Sequence, residues 1–205
     1  AFGVTPLGLY ALRYWIVPVL RPTGLRHLLD TQKAFWHYHA TLTAEHTYFS
    51  HWYTWPWLYR PTWYYWRQTE GVIRGIVAIG NPALWWASVP VTLWAIVTGA
   101  RSRDPRRLFT GAGFCALYLP WSIAPRTLNF SHYLFEALPY ACLSLGTLLD
   151  REWKGGWALL ARSYVVFAIL LFLFFLPILT AWPIPENLLF AGSGARPWIW
   201  FPSWI

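Results

Sequence analysis

The chain has 205 residues, 57% of them hydrophobic, 20% aromatic and only 12% charged, about half the charged share of a soluble domain. Several apolar runs are long enough to cross a bilayer without an ionised residue, which argues against an ordinary soluble enzyme or binding module. A net charge of +8 would suit a nucleic-acid binder, but the basic residues sit between apolar runs and form no single stripe, so they read as topology and anionic-lipid contact.

In chain order, the first expected span is 4–20, short and carrying Arg13. The opening Ala1-Phe2-Gly3 has no charged n-region, and Pro6, Arg13 and Pro18 do not suit a signal peptide. It reads as a chain already inside a helix, with sequence upstream. The next segment, 21–75, is too apolar for a disordered loop and too broken for one span. There Trp52, Trp55, Trp57, Trp63 and Trp66 interleave with Tyr53, Tyr59, Tyr64 and Tyr65, which predicts short interfacial helices with rings at headgroup depth. His37, His39, Glu45, His46 and His51 lie in the same segment, but their spacing matches no zinc motif, and no metal site is assigned.

Four further spans are expected at 76–100, 108–124, 131–149 and 157–182. Pro82, Pro90, Pro120 and Pro139 fall in or near them, which membrane helices tolerate. Arg101, Arg103, Arg106 and Arg107 crowd one connection, and Arg151, Lys154 and Arg162 flank another; both should be cytoplasmic. That puts 21–75, 125–130 and the tail 183–205 outside, although 21–75 holds six Lys or Arg. The expected architecture is an all-α membrane protein: one membrane domain over 1–205, about five transmembrane helices, and interfacial helices in an extracytoplasmic Trp/His-rich segment. Cys115 and Cys142 lie inside apolar runs, which points to buried hydrophobic use.

Among the charges, Arg126 stands at the outer end of two expected spans. A guanidinium there can grip a phosphate bidentately or snorkel to ordinary headgroups. His132 follows six residues on and Tyr133 adds a hydroxyl; a neutral His can donate to a phosphate or sugar oxygen, or bond another helix. Glu136 lies four residues after His132, which on an α-helix is the same face; a structural ion pair with Arg13 or Arg126 is its plainer reading.

The series Trp36-His37-Tyr38-His39, Glu45-His46, Tyr48-Phe49-Ser50, Trp55-Pro56-Trp57, Arg60-Pro61-Thr62-Trp63-Tyr64-Tyr65, Gly80-Asn81-Pro82, Tyr118-Leu119-Pro120-Trp121, Arg126-Thr127, His132-Tyr133 and Leu176-Pro177 through Pro183-Ile184-Pro185 is ordered and spaced in a recognisable way. It resembles the carboxy-terminal four-helix region of bacterial protein O-mannosyltransferases of glycosyltransferase family 39, from about His37 to Ile205. The resemblance implies a GT-C architecture in the bacterial inner membrane and inverting transfer of mannose from a polyprenyl-phosphate carrier to Ser or Thr of exported proteins. It implies a donor-phosphate role for Arg126, His132 and Tyr133, and an acceptor-side role for Glu45, His46, Trp55, Arg60 and Tyr64. The family's catalytic acidic pair belongs to an amino-terminal half, so no catalytic residue is assigned here, and no cofactor. Two departures from the family pattern stand out: Asn129 and Ser131 lie where aromatics are common three and five residues after the Arg of the Arg-Thr pair, and Pro139 falls about one position late. The rival reading is a non-catalytic subunit of a larger membrane assembly, packing helices, lipids or pigments. On either reading membrane lipids are partners and nucleic acid is not.

Overall fold

The computed structural model describes residues 24–190 and 196–205; the expected first span, 4–20, lies outside them. The chain divides into two compact units, Ala1–Ala44 with Pro125–Thr127, and Glu45–Ala124 with Leu128–Ile205.

In the first unit the described residues form helix α1 (Gly24–Thr41), whose side chains from Leu29 onward are mostly exposed. The Thr41 hydroxyl donates to the His37 carbonyl at 2.7 Å, closing the last turn. Just beyond, the Leu42 carbonyl accepts the Thr127 hydroxyl at 3.0 Å, which fastens residues 125–127 to the end of this helix.

The second unit opens with a 3-10 turn (Trp52–Trp57) and then departs from the all-α expectation. Thr62–Thr69 (β1) and Val72–Ala78 (β2) form an antiparallel hairpin, and Ile184–Pro185 (β3) pairs with the other edge of β2. The local reason lies in composition: Thr, Trp and Tyr fit a pleated surface better than a helix. Glu70 and Gly71 both take positive φ, 51° and 76°, the geometry of the tight two-residue hairpin turn. A bulge at Tyr64 shifts the register between Trp63 and Tyr65. Residues expected to lie as interfacial helices between 62 and 75 are therefore strand.

The helical bundle follows. Helix α2 (Pro82–Ser102) starts six residues later than the expected span 76–100, because Asn81 caps it, accepting the Ala83 amide at 3.0 Å, with Pro82 in the first turn. Helix α3 (Pro105–Tyr118) is capped by Asp104 and continues as a 3-10 turn, Leu119–Ser122. The expected span 131–149 divides in two: a 3-10 helix, Ser131–Glu136, and then helix α4 (Leu138–Glu152), with Pro139 in its first turn. Helix α5 (Ala158–Leu179) closes the bundle, and a short helix α6 (Glu186–Phe190) follows β3. Among the described residues α2 and α5 are the two helices long and apolar enough to cross a bilayer. At 14 and 15 residues, α3 and α4 fall short of the roughly 20 that a straight crossing needs.

Polar and small groups join the helices, as expected where water is not available to drive association. The Ser144 hydroxyl on α4 donates to Thr110 Oγ1 on α3 at 2.8 Å. Tyr164 on α5 donates to the Ala83 carbonyl at 2.6 Å, and the Asn81 amide reaches the Ala168 carbonyl at 2.7 Å. Gly111 lets Ile96 of α2 lie directly against the α3 backbone, where a Cβ would collide with it.

Candidate functional site

One network of aromatic side chains in the second unit is built around Trp55. This indole is fully buried, and its Nε1 donates to both the carbonyl and the hydroxyl of Ser50 at 3.1 Å. The Ser50 amide in turn donates to the Asn129 carbonyl at 2.9 Å, which brings the loop before Ser131 to the same place. Trp55 meets Trp121 and Tyr133 edge-on at 5.5 and 5.9 Å, and Trp121 stacks on Tyr133 at 4.7 Å. Such edge and offset contacts suit the ring quadrupoles.

The network extends through the 3-10 helix Ser131–Glu136. His132 stacks on Phe130 at 5.4 Å and meets Tyr133 edge-on at 4.8 Å, while Tyr64 of β1 approaches His132 at 5.5 Å. His46 lies edge-on to Phe130 at 5.2 Å, and its Nδ1 accepts the Tyr48 amide at 3.1 Å, which leaves Nε2 to carry the proton in the neutral ring. Five of the residues singled out from sequence, His46, Trp55, Tyr64, His132 and Tyr133, thus share one network.

The polar atoms inside it are under-satisfied. Ser131 Oγ and His132 Nδ1 are buried without a hydrogen-bond partner among the described residues, as is Arg60 Nε near the start of β1. Buried polar groups are nearly always paired, so these atoms are candidates for contact with a bound molecule. Burial first, and the Tyr133 phenol second, push the Tyr64 hydroxyl above its ordinary pKa. It therefore stays a neutral donor through physiological pH.

The remaining candidates lie elsewhere. Glu45 is exposed beside His46. Arg126 belongs to the first unit, where its Nη1 donates to His39 Nδ1 at 3.4 Å. Glu136 is exposed at the end of a 3-10 helix, so it does not share the face of His132 that an α-helix would have given it. No cluster of His, Cys, Asp or Glu suited to a metal exists among the described residues. Sequence reasoning quoted Trp121 without giving it a role and passed over Phe130; their signal was nearness in sequence to Arg126 and His132.

The family described as the C-terminal four TMM region of protein-O-mannosyltransferase matches residues 25–204. A polyprenol-phosphate-mannose–protein mannosyltransferase of Mycobacterium tuberculosis is 28% identical over 92% of this chain and 38% of its own length. Its namesake in Mycolicibacterium smegmatis is 25% identical over 99% of this chain and 46% of its own. The chain thus spans less than half the length of these relatives. The S. cerevisiae protein O-mannosyltransferase Pmt1-Pmt2 complex bound to the sugar donor shares the fold, with a TM-score of 0.69 at 20% identity over 89% of this chain and 27% of that one. With nearly its whole length matched, the chain belongs to the membrane protein O-mannosyltransferase family, as its C-terminal region.

Proposed function

We propose that this chain is the donor- and acceptor-shaping module of a bacterial polyprenyl-phosphate-mannose-dependent protein O-mannosyltransferase, and that it is not catalytic by itself. The family match over residues 25–204 carries the reading. In the reaction the Ser or Thr hydroxyl of an exported protein attacks mannose C1. The C1–O bond to the carrier breaks, polyprenyl phosphate leaves, and the hydroxyl proton passes to a base that none of the residues named here supplies. This chain's part is electrostatic and positional. Arg126 holds the leaving phosphate, whose charge rises as the bond breaks. His132 and Tyr133 line the donor side, and Glu45, His46, Trp55, Arg60 and Tyr64 the acceptor side; the unpaired Ser131 and His132 atoms support that reading.

The proposed setting is the inner membrane, with residues 1–205 forming one membrane domain of about five spans and the segments 21–75, 125–130 and 183–205 extracytoplasmic. Mannosyl transfer to a Ser/Thr peptide, measured in membranes where this chain is joined to an amino-terminal half of the family, tests the reading through Arg126→Ala. Loss of a charge-assisted hydrogen bond worth about 1.5–3 kcal/mol should cut transfer roughly tenfold to a hundredfold. A folded Arg126→Ala protein with unchanged transfer would remove Arg126 from the donor site.

A further inference from the structure

A long apolar groove lies beside the middle of α2 and the start of α5. It has a volume of about 460 Å³ and opens between α2, α4 and α5, lined by Pro90, Trp94, Leu149, Glu152, Trp157 and Ala161 among others. A second cavity of about 390 Å³ continues it along α5 as far as Phe172, the two sharing Leu145, Leu149 and Tyr164. From Trp157 to Phe172 is fifteen residues of helix, about 22 Å of rise, so the groove runs most of the way along α5. The walls are almost wholly apolar, and such a slot in a membrane helix bundle accepts a hydrocarbon chain.

The mouth is charged, and with one sign in excess. The Arg107 guanidinium lies over the lining Trp94 at 5.1 Å, and Arg162, next to the lining Ala161, lies over Trp153 at 5.7 Å. Arg151 pairs with the lining Glu152 at 3.2 Å, and Lys154 stands between Glu152 and Trp157. Asp104 and Glu152 each occupy one arginine, at 3.3 and 3.2 Å. Across 101–107 and 150–162 seven Lys or Arg face three Asp or Glu, so the excess remains positive.

We propose that this groove is a binding site for an anionic phospholipid, with one acyl chain along α5 and the phosphate headgroup held at the mouth by Lys154 and Arg162. Apolar walls select a lipid, and the excess positive charge selects an anionic one. The site uses none of the residues assigned to mannosyl transfer, so it goes beyond the function proposed above.

The test is lipid retention by the intact protein in vesicles of equimolar phosphatidylglycerol and phosphatidylcholine, read by native mass spectrometry after gentle release. Phosphatidylglycerol should be retained in preference. The exposed double variant Lys154→Gln/Arg162→Gln should lose that preference by on the order of tenfold or more, and added salt should act in the same direction. Ala161→Phe, which fills the groove, should strip both lipids; should it fail to fold, Leu160→Trp at an exposed lining position gives the same reading. Equal retention of the two lipids, an unchanged preference in the charge variant, or displacement of phosphatidylglycerol by equimolar polyprenyl phosphate overturns the proposal. None of these readouts requires mannosyl transfer, so their failure is distinct from failure of the enzymatic reading.

Discussion

Helices α2 and α5 are nearly equal in length, 21 and 22 residues, and each is apolar enough to cross a bilayer, yet they are used in opposite ways. In the most apolar stretch of α2, 39% of residues are buried within the protein; in that of α5 the share is 17%. Helix α2 packs on α3, α4 and α5, with Trp85, Ser88 and Ala95 fully enclosed, whereas α5 turns Leu159, Leu170 and Leu173 outward. The more apolar helix is the less buried one. In water that order would be reversed; here α2 is packed by its neighbours while α5 leaves an apolar face open.

The sharpest way to break this contrast is to empty the α2 side. Trp85 is fully buried and meets Phe135 edge-on at 5.2 Å, so Trp85→Ala should cost about 3–5 kcal/mol. Unfolding in detergent measures it, and a loss below 1 kcal/mol would mean that α2 is not the packed centre. Next comes the joint between the two helices. Asn81 both caps α2 and donates to the Ala168 carbonyl on α5, so Asn81→Ala should cost about 1–2 kcal/mol. A cysteine crosslink between the α2 start and mid-α5 should form less specifically in that variant; unaltered crosslinking would show that the joint is held elsewhere. The smallest effect belongs to the outer face of α5. Leu159→Ala should change stability by less than about 0.5 kcal/mol, and a melting shift as large as that of Asn81→Ala would show that a protein surface covers that face.

How much was legible from sequence follows the same division. The span expected at 157–182 coincides with a helix, Ala158–Leu179, because a long apolar run needs no partner to be recognised. Helix α2 was misplaced at its start although Asn81-Pro82, a ready cap, was in view; the apolar Ile76-Val77-Ala78 was counted into the span and is strand instead. Helix α4 was misplaced likewise, with Pro139 marking the true first turn. The hairpin escaped because aromatic residues signal a membrane interface as readily as a strand, and only the pairing of 62–69 with 72–78 separates the two. Of the residues the sequence singles out, His46, Trp55, Tyr64, His132 and Tyr133 fall in one aromatic network. Trp121 and Phe130 stack on the nearby Tyr133 and His132, but the approach of Trp55 to Trp121 and of His46 to Phe130 depends on closure across more than sixty residues, and no local pattern announces it.

The tail around Trp204 sets a timetable for the site's supporting strand. Trp63 at the head of β1 donates its indole N–H to the Trp204 carbonyl at 2.6 Å, and Trp204 donates its own to the Leu58 carbonyl at 2.7 Å, links spanning 141 and 146 residues of sequence. During synthesis β1 emerges before the residues that brace it, which arrive only after helices α2–α5 have been made. Until then Trp63 and the stretch from Leu58 wait unbraced. A ribosome stalled before residue 204 should therefore carry helices α2–α5 already made and a hairpin still open to protease, with protection arriving once Trp204 has emerged.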